Sequence, residues 1–139
     1  MGAGQPPSVP PPAEVLRARS FEVVDASGKV VLQLDATPAG GRIRVLGSAG
    51  ASGVEAFVTD AGGRVVVFNP SGRFRLALGN DQFGGALTLA NTDGSLVCMA
   101  RADEKGEGVL SAWGRQGAGR LLTPYGVKQP RKKREGDED

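Results

Sequence analysis

Apolar and polar residues alternate in short segments along the middle of this chain. Leu32 and Leu34 flank Gln33, and similar segments follow at intervals of about 11 residues as far as Leu110. Alternation with a period of two is typical of a β-strand that has one apolar face. The same region lacks ten-residue stretches with the apolar spacing of a helix. The pattern therefore predicts an all-β fold built from short strands.

Glycines mark a longer period in the same region. Single glycines recur at intervals of 22 residues, and the last comes one residue late because of an insertion near Gly106. These turn glycines are Gly28, Gly50, Gly72, Gly94 and Gly117. Pairs lie midway between them, at Gly40-Gly41, Gly62-Gly63 and Gly84-Gly85. We expect about four and a half repeats of 22 residues, each with two short strands joined by turns.

The alternation separates an inward set of apolar residues from an outward set. The inward columns predict the core, and Phe21 and Val23 begin them as a half repeat. The predicted core residues are Phe21, Val23, Leu32, Leu34, Ile43, Val45, Val54, Val65, Val67, Leu76, Leu78, Leu87, Leu89, Cys98 and Leu110. Cys98 is interpreted as a small buried hydrophobe rather than a nucleophile. Leu46, Phe68 and Trp113 share an outward column and predict an exposed stripe that a partner could bind.

Composition divides the chain into a repeat domain and two tails. We expect a disordered Pro-rich tail over residues 1–19 (with a short helical turn at 13–19), a β-repeat domain over 20–123 and a disordered charged tail over 124–139. The charged tail contains the basic cluster Arg131–Arg134. No secretory signal or membrane-spanning stretch is recognisable, so the default location is the cytoplasm or an assembled particle.

The composition favours a core that is shared between chains. The sequence has 22 glycines and only 5% aromatic residues, so a single chain can bury few large side chains. Three arrangements fit the strands: a trimeric β-fibre or β-prism, a single-chain antiparallel meander or barrel, and a β-solenoid. The trimer or filament is preferred, because several chains would then bury the apolar face together.

A resemblance supports a structural role. The segment from Gly62 to Gly72 (GGRVVVFNPSG), followed by RFRLALG up to Gly79, resembles the GG-x-v-x-v-x-n-x-x-G repeats of uncharacterised bacterial proteins. More loosely, it is similar to the shafts of trimeric phage fibres and adhesins. The resemblance covers about residues 20–123 and implies a shaft or spacer, without implying any functional residues.

Little in the sequence predicts catalysis. The chain has no histidine, and it lacks phosphate-loop, zinc and serine-hydrolase motifs, so we expect no enzyme activity, cofactor or metal. Asp25, Asp60, Asp81 and Asp93 fall at turns, where we expect them to cap their own backbone.

The charge distribution bears on the partners of the chain. Residues 20–123 carry 10 basic and 10 acidic residues, so neither nucleic acid nor a membrane is an expected partner. We expect a self-associating shaft or filament segment, joined to a larger assembly by the N-terminal tail. The alternative is a small binding module that presents its aromatic residues to carbohydrate or protein.

Overall fold

The computed structural model describes residues 15–114 and 117–128. Within these ranges the regular structure consists of eleven β-strands, with no helix. The strands are β1 (Ser20–Val24), β2 (Val30–Thr37), β3 (Gly40–Leu46), β4 (Ser52–Thr59), β5 (Gly62–Phe68), β6 (Phe74–Asp81), β7 (Gly84–Ala90), β8 (Leu96–Ala102), β9 (Gly108–Trp113), β10 (Gly119–Thr123) and β11 (Gly126–Lys128).

The strands form one antiparallel sheet in which each strand pairs with the next strand of the chain. The all-β prediction is confirmed, and so is the prediction of two strands in each 22-residue repeat, as in β2–β3, β4–β5 and β6–β7. The described sheet is an open single-chain meander, because β1 and β11 stand at its two ends. The β-solenoid and closed-barrel alternatives are wrong, since sequence neighbours pair directly and the end strands do not meet.

Two kinds of turn alternate along most of the sheet. In the short turns two residues join the strands, and the first glycine of each pair has positive φ, as at Gly40 (φ 144°). In the long turns a glycine with φ near 80° follows a β-turn: the Gly28 N–H donates to the Asp25 carbonyl at 2.9 Å, and the Asp25 N–H to the Lys29 carbonyl at 2.8 Å. Each long turn on β1–β8 accompanies a shift in strand register, as between Val45 and Leu46.

The one-residue insertion changes one turn from short to long. Between β8 and β9 the repeat predicts a short turn, but the Gly106 N–H donates to the Asp103 carbonyl at 2.9 Å, as in the long turns. Gly106 also has a φ of 78°, which matches the long-turn glycines. The additional residue is therefore absorbed in the turn, and the strand pairing continues beyond it.

Strand pairing places the predicted core columns on one face of the sheet. Paired residues point to the same side, and Leu34, Ile43 and Ala56 are aligned in this way on β2, β3 and β4. We call this side the apolar face. The opposite side, called the polar face, carries residues such as Gln33 and Arg44.

Burial differs from the sequence expectation. Among the described residues, only Val66 (7% exposed), Ala77 (6%) and Ser111 (2%) are buried, and the register places all three on the polar face. The apolar face, which was expected to form the core, leaves Ile43 46% and Leu78 45% exposed. The physical reason is that the sheet is a single layer, so no second layer of the same chain covers that face.

The limits of the sheet differ from the predicted domain limits at the C-terminal end. The sheet begins at Ser20, but it continues beyond Thr123, because Gly126–Lys128 forms β11 against β10. Residues 15–19 contain no helical turn. Residues 1–14 and 129–139, which include most of both predicted tails and the Arg131–Arg134 cluster, lie outside the described residues.

Candidate functional site

The apolar face is the candidate site, and its side chains form three parallel rows that cross the strands. The central row consists of Leu34, Ile43, Ala56, Val65, Leu78, Leu87, Ala100 and Leu110. The bulge row, next to the long turns of β2–β8, consists of Leu32, Val45, Val54, Val67, Leu76, Leu89, Cys98 and Ala112. The glycine row, next to the short turns, consists of Ala36, Gly41, Val58, Gly63, Asn80, Gly85, Ala102 and Gly108.

Large apolar side chains on this face are exposed in the single chain. Beyond Ile43 and Leu78, Leu110 is 44% exposed, and Phe21 and Val23 at the β1 end are also exposed. Leu34 and Val45 are exposed as well. The remaining predicted core residues are half-buried: Leu32, Val54, Val65, Val67, Leu76, Leu87, Leu89 and Cys98. Monomeric proteins rarely leave a contiguous apolar surface of this extent in water, so the face is suited to contact with another surface.

A groove runs along this face between the central row and the short-turn side of the sheet. Its volume is about 1060 Å³, and its lining extends across β2–β8. The lining includes central-row residues such as Val65 and the glycines Gly41, Gly63 and Gly85. A groove with this lining can hold apolar groups. Only Asn80 and Cys98 in the three rows offer polar or reactive side-chain atoms.

The polar face carries an ordered network across β1, β2 and β3. Arg42 donates two hydrogen bonds to Asp35, from Nε at 2.9 Å and from Nη2 at 2.7 Å. Arg44 donates to the Gln33 side chain, and Gln33 in turn donates to Glu22 at 3.1 Å. The hydrogen bonds from Arg42 hold the pKa of Asp35 below its usual value. These side-chain interactions hold β1, β2 and β3 together, and Asp35 is ionised near neutral pH.

A second cluster on the polar side joins β8 to the turn between β6 and β7. The Asp81 carboxylate accepts a hydrogen bond from the Phe83 backbone N–H at 2.8 Å and lies 3.4 Å from Arg101 Nη1. These two interactions, the backbone hydrogen bond first, lower the pKa of Asp81. The Arg101 guanidinium also lies 5.5 Å from the centre of the Phe83 ring. The cluster therefore connects β8 to the turn between β6 and β7.

Of the four turn aspartates expected to cap their own backbone, Asp25 and Asp81 do so. The Asp25 carboxylate accepts hydrogen bonds from the Ser27 hydroxyl and from the Ser27 and Lys29 N–H groups, which lowers its pKa. Asp103 has the same role, with a pKa lowered mainly by the Glu107 N–H. In the turn that contains Asp93, however, Asn91 is the capping residue and accepts from the Asp93 N–H at 2.9 Å.

The three residues of the predicted outward stripe lie on strands that are not neighbours in the sheet. Leu46, Phe68 and Trp113 lie at the ends of β3, β5 and β9 and are half-buried. Four strand spacings separate Phe68 from Trp113, which corresponds to about 19 Å. Trp113 instead lies over its partner strand, since a Cβ on Gly119 would come within 2.5 Å of the Trp113 ring.

The ion pair between Asp35 and Arg42 is a feature that sequence reasoning missed. A signal for it was present, because the two residues have opposite charge and flank the short turn of the Gly40-Gly41 pair. Once the two-residue turn is placed at 38–39, the register puts Asp35 directly opposite Arg42.

The described residues present neither a metal-binding cluster nor a membrane-spanning helix. In residues 15–114 and 117–128, no group of three or more His, Cys, Asp and Glu side chains is arranged to hold a metal ion. The described part of the chain also has no helix that is long and apolar enough to cross a membrane.

Comparison with known proteins adds no relative. No protein-family model matches the chain, and no curated protein matches its sequence.

Proposed function

We propose that this chain is a non-enzymatic structural protein, a β-repeat segment that self-associates through its apolar face into a shaft or filament. The observation that carries the proposal is the row of large side chains left uncovered by the single layer, such as Ile43, Leu78 and Leu110. Burial of this surface against other copies would remove apolar area from water, the main favourable term in protein association.

The size of the face is adequate for a stable contact. The nine strands β2–β10 lie side by side in the sheet. With about 4.8 Å between strands and about five residues along each one, the face measures roughly 700 Å² per copy. Two facing copies would then bury about 1,400 Å², within the range of specific interfaces. A second copy therefore offers enough area.

The alternative of a small binding module receives less support. Such a module would need Leu46, Phe68 and Trp113 to form one accessible surface, whereas these residues are half-buried and spread across the sheet. The apolar face is larger and continuous, and it extends over several repeats. Its repeating rows suit a repeating partner better than a single sugar or peptide.

The first experiment is the native mass of the full-length chain by light scattering. A single chain has a mass of 14.3 kDa, and we expect a mass of about three chains, or a larger polydisperse mass. The variant Ile43→Gln/Leu78→Gln/Leu110→Gln should return the mass of one chain and keep its β circular dichroism signal, because all three residues are exposed in the single chain.

The matched control is Glu22→Gln, an isosteric change of an exposed side chain on the polar face, away from the groove. We expect it to assemble like the unmodified chain. If the unmodified chain has the mass of a single chain over a wide concentration range, the proposed function is wrong. The same conclusion follows if the triple variant assembles as tightly as the control.

A further inference from the structure

The apolar face is tapered, with one tall edge and one low edge. The bulge row carries mostly leucine and valine side chains, such as Leu32 and Leu76. The glycine row, four positions away along the same strands, carries glycine at every second strand, at Gly41, Gly63 and Gly85. The groove lies over this low edge. In cross-section along β3, β5 or β7, the apolar face is therefore a wedge, whereas β4 and β6 carry Val58 and Asn80 at the same edge.

The single chain does not itself require glycine at the low edge. A Cβ added at Gly41, Gly63 or Gly85 would meet no atom within 4 Å. None of these three has the positive φ seen at the first glycine of each pair. Glycine inside a strand weakens it, because it costs backbone entropy and offers no side chain to pack. The space above these glycines therefore points to a group that lies outside the chain.

We infer that the groove over the glycine row receives the bulge row of another copy of this chain. This inference rests on the proposed function and specifies its contact. Two wedges that face each other with opposite taper keep a constant separation, and packed sheets lie about 10 Å apart. A two-fold axis that runs across the strands between two facing sheets places the bulge row of one copy opposite the glycine row of the other.

The same contact is compatible with three copies. A three-fold axis in the same direction would bring the low edge of each sheet to the tall edge of the next, as in a β-prism. Both arrangements make the glycine row and the bulge row complementary surfaces of one interface. The native mass determines the number of copies. The contact between the glycine row of one copy and the bulge row of another is the same for two copies and for three.

Periodicity favours a copy of this chain over an unrelated partner. The glycines recur on β3, β5 and β7, so the low points are two strands apart, or about 10 Å. A partner that stays in phase across β2–β8 must present apolar side chains with the same spacing. The bulge row of a second copy carries one apolar side chain on each strand of the same sheet, so every second one of them can face a glycine. The contact area of roughly 1,400 Å² between two apolar faces also suits a second copy of this chain.

The inference is tested by adding side chains to the glycine row and measuring assembly. The variant Gly63→Val/Gly85→Val adds side chains where the single chain has room, in a conformation that valine adopts in strands. At a concentration where the unmodified chain is fully assembled, we expect the variant to have the mass of one chain and an unchanged β circular dichroism signal. The control Thr88→Val makes a nearly isosteric change on the polar face and should assemble normally.

If the valine variant does not fold, a double variant with smaller side chains tests the contact between the two rows. Gly63→Ala/Gly85→Ala adds one methyl group at each site and should weaken assembly by about tenfold, since well-packed contacts do not accept added atoms easily. Assembly of the folded valine or alanine variant at the unmodified strength would overturn the row contact.

The failure of this inference is distinguishable from the failure of the proposed function. Suppose that the glutamine triple variant is a single chain and the glycine variants assemble normally. The apolar face is then the interface, and the row contact is wrong. If the unmodified chain is a single chain that carries a bound aliphatic molecule in native mass spectrometry, both proposals are wrong.

Discussion

At the scale of single residues, charged side chains in this molecule stabilise strand pairing and turn geometry. Asp35 receives two hydrogen bonds from Arg42 across the β2–β3 pair, and Asp81 receives one from the Phe83 backbone. In both cases the hydrogen bonds favour the ionised carboxylate and lower its pKa. These acids are therefore structural groups, and their protonation should weaken the sheet.

The pH dependence of stability tests this role. The pKa of folded Asp35 lies below its usual value of 3.8, so its contribution is fully present above that pH and is lost as the pH falls through the folded pKa. We expect the thermal midpoint to fall on acidification below pH 3.8, and Asp35→Asn to flatten part of this fall. Asp60→Asn, at an exposed turn position, serves as control. An Asp35→Asn curve parallel to that of the unmodified chain would contradict the prediction.

At the scale of elements, the long-turn glycine and the second glycine of each pair have different physical roles. Long-turn glycines such as Gly72 (φ 76°) adopt a left-handed backbone conformation. The second glycines of the pairs, such as Gly63, lie in ordinary extended strand. Only the first role is a demand of the turn itself.

A substitution at Gly72 separates backbone strain from side-chain contact. A Cβ at this position would meet no atom within 4 Å, so the cost of Gly72→Ala comes from the positive φ alone. We expect a loss of about 1 kcal/mol in the free energy of unfolding, measured by urea titration. Gly72→Asn should lose less, because asparagine tolerates this conformation. Equal losses for alanine and asparagine would show that φ is not the cause.

Local features of the sheet could be predicted from the sequence because they depend on nearby residues. The strands followed from alternation, and the turns from the recurring glycines. Strand β11 was missed, because three residues after Tyr125 are too short to show a period. The cap in the turn of Asn91 was assigned to Asp93, since either side chain could have made the hydrogen bond.

The role of the predicted core could not be read from the sequence in the same way. Alternation placed Leu34, Ile43 and Leu78 correctly on one face of the sheet. Alternation does not show what covers that face, because burial depends on layers that are distant in sequence or on other copies. The groove over the glycine row could not be predicted from the sequence for the same reason. It forms only when the pairing of several strands brings its lining residues together.

At the scale of the whole molecule, the sheet behaves as a one-dimensional array of two-strand units. Each strand contacts only its sequence neighbours, so a unit can in principle be removed without disturbing distant parts. One unit consists of a strand that begins after a long turn and a strand that begins after a short turn. This order also keeps the bulge row at one edge of the apolar face and the glycine row at the other.

Deletion of one complete unit should therefore leave fold and assembly intact. Removing residues 50–71 joins Ala49 to Gly72 and takes out β4 and β5, so that Gly72 replaces Gly50 in an equivalent long turn. The control removes residues 50–60, which contain β4 alone. If the later strands keep their pairing, they then run in the opposite direction and are turned over, so their apolar side chains lie on the other side of the sheet from those of β2 and β3. We expect the first variant to keep its β circular dichroism signal per residue and to assemble, and the control to lose assembly. Equal behaviour of the two variants would show that the two-strand unit is not the unit of assembly.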